Sequence, residues 1–319
     1  MTASESVHLQ PDHRFFLSAF LRGWGSADRM PRGVNDWSTP PSAEHPVPVI
    51  LIHGTWLNSY NTWFYIAPAL ASHGYSVFAF NYGTNPESFV GRRKSCFANG
   101  PLLDAVDEIS DYIDRVLEET GAEQVDLIGH SQGGAQSLLQ VNGRDGRFGG
   151  ENPRVRNIIT LGCSVHGTTA SGVGTAVNWL HDKLEGKVDV LKIIHSVLGQ
   201  CAEDQIAGSD FASYATSEGD TVPGITYTMI SSKYDEIVTP WRNAFVEPVE
   251  GATVHNIKLQ DNGNERDLSD HLSMLYSPRA VDLILERLAD SDSGEEGGYR
   301  RSNPAVTARV LPVLGKVKD

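Results

Sequence analysis

The sequence predicts an α/β domain, with a mainly parallel β-sheet, helices on both faces and a helical cap inserted late in the chain. Three observations predict it. Short apolar runs alternate with segments of helical periodicity between residues 47 and 289, the alternation that builds a parallel sheet through crossover helices. The runs are rich in Val, Ile and Leu on both faces, as in strands covered on both sides. Finally, Gly129-His130-Ser131-Gln132-Gly133 stands between a β-rich segment and a helical one, which places a serine at the tip of a tight strand-to-helix turn.

The elements follow in order. Residues 1–45 read as an N-terminal leader rich in Pro, Ser and Asp, able to wrap the domain surface. Its apolar stretch Phe15–Leu21 is short and bracketed by Arg14 and Arg22, so neither a secretory signal nor a transmembrane span is evident. As written, the chain reads as cytoplasmic. Val47–Ile52 is the first strand and ends in His53-Gly54-Thr55-Trp56. Trp63–Ser72 reads as a helix and Tyr75–Phe80 as the second strand. Residues 83–101 form a long loop, with Arg92-Arg93-Lys94 as a solvated basic cluster. Leu102, Val106, Ile109, Ile113, Val116 and Leu117 then recur at helical spacing with acidic residues between them.

The central strand Gln124–Ile128 leads into the serine turn and a helix over Gly134–Val141. Asn157–Leu161 is the next strand. Residues 163–222 are too many for an ordinary connection. They contain Val177–Leu184 and Val188–Leu198, both apolar on one side, and read as the cap. Ile225–Ser231 and Val254–Leu259 are two more strands, and Tyr276–Ala289 closes the domain as an amphipathic helix. The domain thus spans 46–290. A tail over 291–319 opens on a Gly-, Ser- and acid-rich linker and holds a mildly apolar segment, Thr307–Leu314.

Composition narrows the function. The 319 residues carry a formal charge of −14, and 40% are hydrophobic. That suffices for a sizeable core and argues against nucleic-acid binding, which needs a basic surface. It equally disfavours docking on anionic lipid, and no stable membrane anchor is expected. Cys96, Cys163 and Cys201 are too few and too odd in number for a disulfide framework. Cys163, after an apolar strand, reads as a buried free thiol, and a single bridge among the three stays open. There is no H-E-x-x-H, and the cysteines lack zinc spacing. Gly172-Val173-Gly174 lacks the rest of a dinucleotide fingerprint. Neither metal nor cofactor is expected, and the oligomeric state has no signal here.

The chemistry centres on Ser131. A nucleophilic serine needs a base, and the base needs a carboxylate to orient it. With the nucleophile on such a turn, the order along the chain is serine, acid, histidine. His271, in a loop after the last strand, is the best base. His255 sits inside a strand, and His8, His13 and His45 precede the turn. Two acids lie past strand ends, Asp235 and Asp261. Asp235 is preferred because acid and base then come from successive strands, while Asp261 reads as a turn residue in Asp261-Asn262-Gly263-Asn264. The oxyanion needs two converging donors: the N–H of Gln132, and Thr55 with its N–H and hydroxyl. Gly54 lets the backbone approach. His53, His130 and His166 read as packing residues beside the site.

Four segments carry a resemblance. Pro48-Val49-Ile50-Leu51-Ile52-His53-Gly54-Thr55, Gly129-His130-Ser131-Gln132-Gly133-Gly134, Tyr234-Asp235-Glu236-Ile237-Val238-Thr239-Pro240 and Asp267-Leu268-Ser269-Asp270-His271 resemble the class 2 bacterial triacylglycerol lipases. The acid segment also resembles that of the yeast lipase B. The resemblance covers roughly residues 35–290 and implies an α/β-hydrolase fold and hydrolysis of acyl esters or lipids without a cofactor. It further implies Ser131 as nucleophile, Asp235 as acid, His271 as base, and Thr55 with Gln132 as the oxyanion hole. Such lipases are typically secreted with disulfides, whereas this chain has few cysteines and no visible signal. A polyester hydrolase or an acyltransferase on the same triad, and a non-catalytic homologue binding an apolar ligand, are the alternatives. Val188–Leu198 is expected to contact the acyl chain.

Overall fold

The computed structural model describes residues 15–142, 146–169, 190–261, 266–295 and 310. Six strands form one sheet in the order β2-β1-β3-β4-β5-β6, every pair parallel. They are β1 (Val49–Ile52), β2 (Val77–Ala79), β3 (Val125–His130), β4 (Val155–Leu161), β5 (Thr226–Ser231) and β6 (Thr253–Lys258). The apolar runs become strands because both faces are covered. In β1, Ile50 and Ile52 join one core layer, and Val49 and Leu51 join the other. Burying each such side chain contributes about 2 kcal/mol.

The helices fall between strands as expected, with instructive differences. The segment read as one helix over 63–72 is two, α2 (Ser59–Trp63) and α3 (Ile66–Ser72). Pro68 explains the break: lacking an N–H, it fits the first turn of a helix but not an interior. Asn58 and Asn61 cap α2 reciprocally. α4 (Asp104–Thr120) and α5 (Gln132–Leu139) follow. α4 buries Val106, Ile109, Ile113, Val116 and Leu117 on one side, the stripe read from the sequence.

β2 is shorter than read because it is a sheet edge. Its outer side meets Val34 in a single bridge. Asn35 covers the rest: its N–H donates to Val77 (2.9 Å), and its side-chain carbonyl accepts from Ala79 (2.9 Å). The stretch expected to wrap the surface therefore does more than that. It also forms α1 (Phe16–Gly23), whose Phe16 and Ala19 are buried in the second core layer. Phe16 lies edge-on to Tyr276. The core thus begins well before residue 46.

Between β4 and β5 the described insertion carries α6 (Val190–Leu198), α7 (Cys201–Asp204) and α8 (Asp210–Ala215). The expected helix Val177–Leu184 and Gly172-Val173-Gly174 lie outside the described residues, as does the turn Asn262-Gly263-Asn264. The closing helix α9 (Pro278–Ser293) outruns its sequence reading. Its last turn is anchored, since Asp292 accepts from Arg156 (2.7 Å) and pairs with His45 (2.7 Å). Arg156 also holds the buried Asp126. Beyond residue 295 only Val310 is described, its N–H donating to Asp270 (2.5 Å). No described helix is long and apolar enough to cross a membrane. All three cysteines are free and buried.

Candidate active site

Ser131 follows β3 and precedes α5 with φ 54° and ψ −120°, a conformation that L-residues rarely adopt and that clusters at active sites. The turn is possible because its neighbours are glycines. A Cβ on Gly133 would stand 2.1 Å from the carbonyl oxygen of Ile52, and one on Gly129 2.3 Å from that of Gly133. The Ser131 N–H stays in the sheet, donating to Leu161 (2.9 Å). Its carbonyl accepts from Gly134 (2.9 Å), which starts α5. The N–H of Gln132 lies in the first turn of α5, where helix N–H groups have no intrahelical partner.

His271 and Asp235 meet beneath it. His271 Nδ1 is 2.8 Å from Asp235 Oδ2, with side chains only 4% and 0% exposed. Asp235 Oδ1 accepts from the N–H groups of Ile237 (2.9 Å) and Val238 (2.8 Å). The loops after β5 and β6 are tied together: Ser232 Oγ donates to the Ser269 carbonyl (2.5 Å) and accepts from Gln260 Nε2 (2.9 Å). Burial by itself would lower the His271 pKa. The charge and hydrogen bond of Asp235, helped by Asp270 and Glu236, outweigh it and raise the pKa above the usual histidine value. Asp261 is elsewhere: it is mostly exposed and pairs with Lys258 (2.7 Å). His255 lies on β6, as its strand context implied.

The other histidines support the frame. Burial, and then the nearby His271, keep the His130 pKa well below normal. A neutral His130 places its proton on Nε2, which is 3.0 Å from the His271 carbonyl oxygen. Burial takes His53 down to about 4, and its Nδ1 faces the Gly54 carbonyl (3.0 Å). His166 joins Asp220 (2.9 Å) and the Asn243 carbonyl (3.0 Å), which braces the start of the insertion.

On the far side of Ser131, Thr55 Oγ1 donates to Gln132 Oε1 (2.8 Å). A cavity of ≈ 620 Å³ opens above these groups, with Ser131, His271 and Thr55 on its wall. Most of the rest is apolar, and its large side chains include those of three places. Phe16, Phe20 and Trp24 come from α1 and the residue after it; Trp56 and Leu57 from the loop after β1; Ile194 and Leu198 from α6. Arg93 also lines it, its guanidinium over Trp24 and Phe89, so this member of the basic cluster is stacked on aromatic rings.

Three contributors were missed in the sequence. Gly162, at φ 59°, leaves little room for a side chain: a Cβ there would sit 3.0 Å from both Asp235 Oδ2 and His271 Nδ1. Its position right after β4 was the available signal. Gln205 hydrogen-bonds Thr55 from the insertion, and no motif marks it. The aromatic residues of α1 repeat four apart, at Phe16, Phe20 and Trp24, a helical stripe that was the available signal.

Known proteins are similar to this chain in sequence and in fold. Residues 47–184 match the sequence profile of the alpha/beta hydrolase fold. Two triacylglycerol lipases are similar over 95 residues at 36% identity, one from Pseudarthrobacter phenanthrenivorans and one from Burkholderia plantarii. The match takes in 28% of this chain and 26% and 24% of theirs, so the chain spans about a quarter of the length of these curated relatives. The crystal structure of Aspergillus fumigatus lipase B superposes with a TM-score of 0.58 at 17% identity, covering 91% of this chain and 61% of that one. Bacillus licheniformis lipase BlEst2 in mature form superposes at 0.52 and 15% identity, covering 82% and 96%. The sheet, the turn at Ser131 and these likenesses give the chain the α/β-hydrolase fold.

Proposed function

We propose that this α/β hydrolase is a serine carboxylic-ester hydrolase acting on acyl esters, in the manner of the lipases it resembles. The observation that carries the reading is the His271–Asp235 pair (2.8 Å), with His271 on the wall of the same apolar cavity as Ser131. Asp235 accepts a hydrogen bond from Nδ1–H and so fixes the tautomer that leaves Nε2 as a base.

Ser131 Oγ attacks the ester carbonyl carbon as its proton passes to His271 Nε2. The carbonyl oxygen becomes an oxyanion, received by the Gln132 N–H and by the N–H and hydroxyl of Thr55. Collapse breaks the ester C–O bond, and the departing alkoxide takes the proton from His271, leaving an acyl-enzyme. Water then attacks the acyl carbon, gives its proton to His271, and the carboxylic acid leaves as Ser131 recovers its proton. The apolar wall formed by α1 and α6 suits the acyl chain. No step calls for a cofactor.

A panel of p-nitrophenyl esters of rising chain length, run beside fluorophosphonate labelling, tests the reading. Turnover that rises with chain length, and labelling that vanishes in Ser131→Ala, are expected. A folded wild-type protein that neither labels nor turns over any ester is instead a binding homologue. Acyl transfer to an added alcohol in preference to water identifies the acyltransferase alternative.

A further inference from the structure

The Thr55 hydroxyl can turn, and a hydroxyl that points the wrong way presents a lone pair to an oxyanion. Gln205, buried on the insertion just after α7, decides which way it points. Its amide orientation is determined by neighbours that leave one choice. Nε2 lies 2.9 Å from the Cys201 carbonyl oxygen, which can only accept. Oε1 lies 3.2 Å from Ser164 Oγ, which donates to it. So placed, Nε2 donates to Thr55 Oγ1 at 2.9 Å. That contact occupies a lone pair of Thr55 and turns its proton outward, toward Gln132 Oε1 at 2.8 Å in the free protein. The remaining competitor for the proton, Gln205 Oε1 at 3.1 Å, is longer and already engaged by Ser164.

The backbone of Gln205 is held too. Its carbonyl accepts from Thr168 N–H (2.8 Å). Thr168 Oγ1 in turn bonds the Ile237 carbonyl and accepts from Thr239 N–H (3.0 Å), in the loop that follows Asp235. The insertion, the acid loop and the oxyanion donors thus share one hydrogen-bonded chain, in which each donor polarises the next.

We infer that Gln205 is a positioning residue: it sets the Thr55 hydroxyl as a donor and makes oxyanion stabilisation depend on where the β4–β5 insertion sits. This rests on the reading of Thr55 as an oxyanion donor, and the test separates the two. The protein is assayed with p-nitrophenyl acetate as four variants: wild type, Gln205→Met, Thr55→Val and the double substitution. Gln205→Met keeps the length of the side chain and removes the amide. It is expected to lower kcat about tenfold with KM little changed, a part of the roughly hundredfold cost of losing a whole oxyanion donor. In the Thr55→Val background the same substitution is expected to lower kcat no further.

Gln205→Glu supplies a readout that packing does not move. An ionised carboxylate can only accept, so it draws the Thr55 proton away from the oxyanion. Protonated, it can donate again. The ratio of its kcat to that of the wild type is expected to rise as pH falls. Fluorophosphonate labelling and thermal melts verify that each variant is folded. An equal loss from Gln205→Met in both backgrounds, or a pH-independent ratio for Gln205→Glu, overturns the role of Gln205 while leaving Thr55 in place. Full turnover in Thr55→Val alone overturns the oxyanion reading itself, and the inference with it.

Discussion

The two flanks of Ser131 are built from different materials. On the His271 flank a carboxylate and an imidazole meet at 2.8 Å, and two loop N–H groups hold the carboxylate's other oxygen. Charge-assisted bonds in a buried place are short and stiff. On the Thr55 flank the contacts join neutral groups, a hydroxyl and the side-chain amides of Gln132 and Gln205. One of the three belongs to the insertion. A hydroxyl rotor turns at little cost. The difference teaches that the His271–Asp235 pair is set by the ends of the sheet, whereas the contacts of Thr55 depend on an added segment.

The sharpest way to break this contrast is Asp235→Asn. With the imidazole free to take the wrong tautomer, kcat is expected to fall on the order of 10⁴-fold, while Asp261→Asn stays near wild type. The pH profile carries a second sign. Activity needs neutral His271, so it is lost as pH falls through a pKa held above the ordinary value by Asp235. Without that charge burial dominates, and the acid limb should move to lower pH. A full rate in Asp235→Asn together with a large loss in Asp261→Asn would reassign the acid.

Gly162→Ala probes the same flank sterically. Its methyl would press on both partners at 3.0 Å, moving them by a few tenths of an ångström, so a loss smaller than the roughly hundredfold cost of a misplacement near 1 Å is expected. An unchanged rate constant would show that the pair tolerates displacement. Thr55→Val examines the other flank. Loss of one oxyanion donor costs on the order of 3 kcal/mol. Unlike the effect of Asp235→Asn, the ratio to wild type should be flat with pH, because no titrating group is removed. A pH-dependent ratio would couple the flanks directly.

The smallest effect concerns the cavity wall. Each buried methylene of substrate is worth about 0.8 kcal/mol, or roughly fourfold in kcat/KM. Ile194→Asp should weaken long-chain esters progressively and spare acetate. Phe20→Ala should do so from the α1 side. Equal loss across the ester panel with a lowered melting point would make these residues packing only.

The alternation of apolar runs and helical stripes was enough to read the sheet, its direction and most helices, because both-face burial leaves a continuous Val/Ile/Leu signature. The turn at Ser131 was legible for a related reason: the approach of backbone at Gly129 and Gly133 admits no side chain. The pairing of His271 with Asp235 rather than Asp261 was readable only as a position, with acid and base following successive strands. Where the carboxylate lies relative to the imidazole depends on loops tied by Ser232 and Gln260, residues with no pattern of their own.

What the sequence by itself determined is therefore what local chemistry and periodicity encode: the parallel sheet, the serine turn and the candidate residues around it. Tertiary structure decided the rest. α1 became part of the core and the cavity wall because its aromatic stripe meets Tyr276 and the loop after β1, partners distant in the chain. Gln205 came to Thr55 across 150 positions, and Gly162 came under the His271–Asp235 pair because β4 ends there. Such contacts arise from how separate strands are stacked side by side, and no spacing within one segment records them.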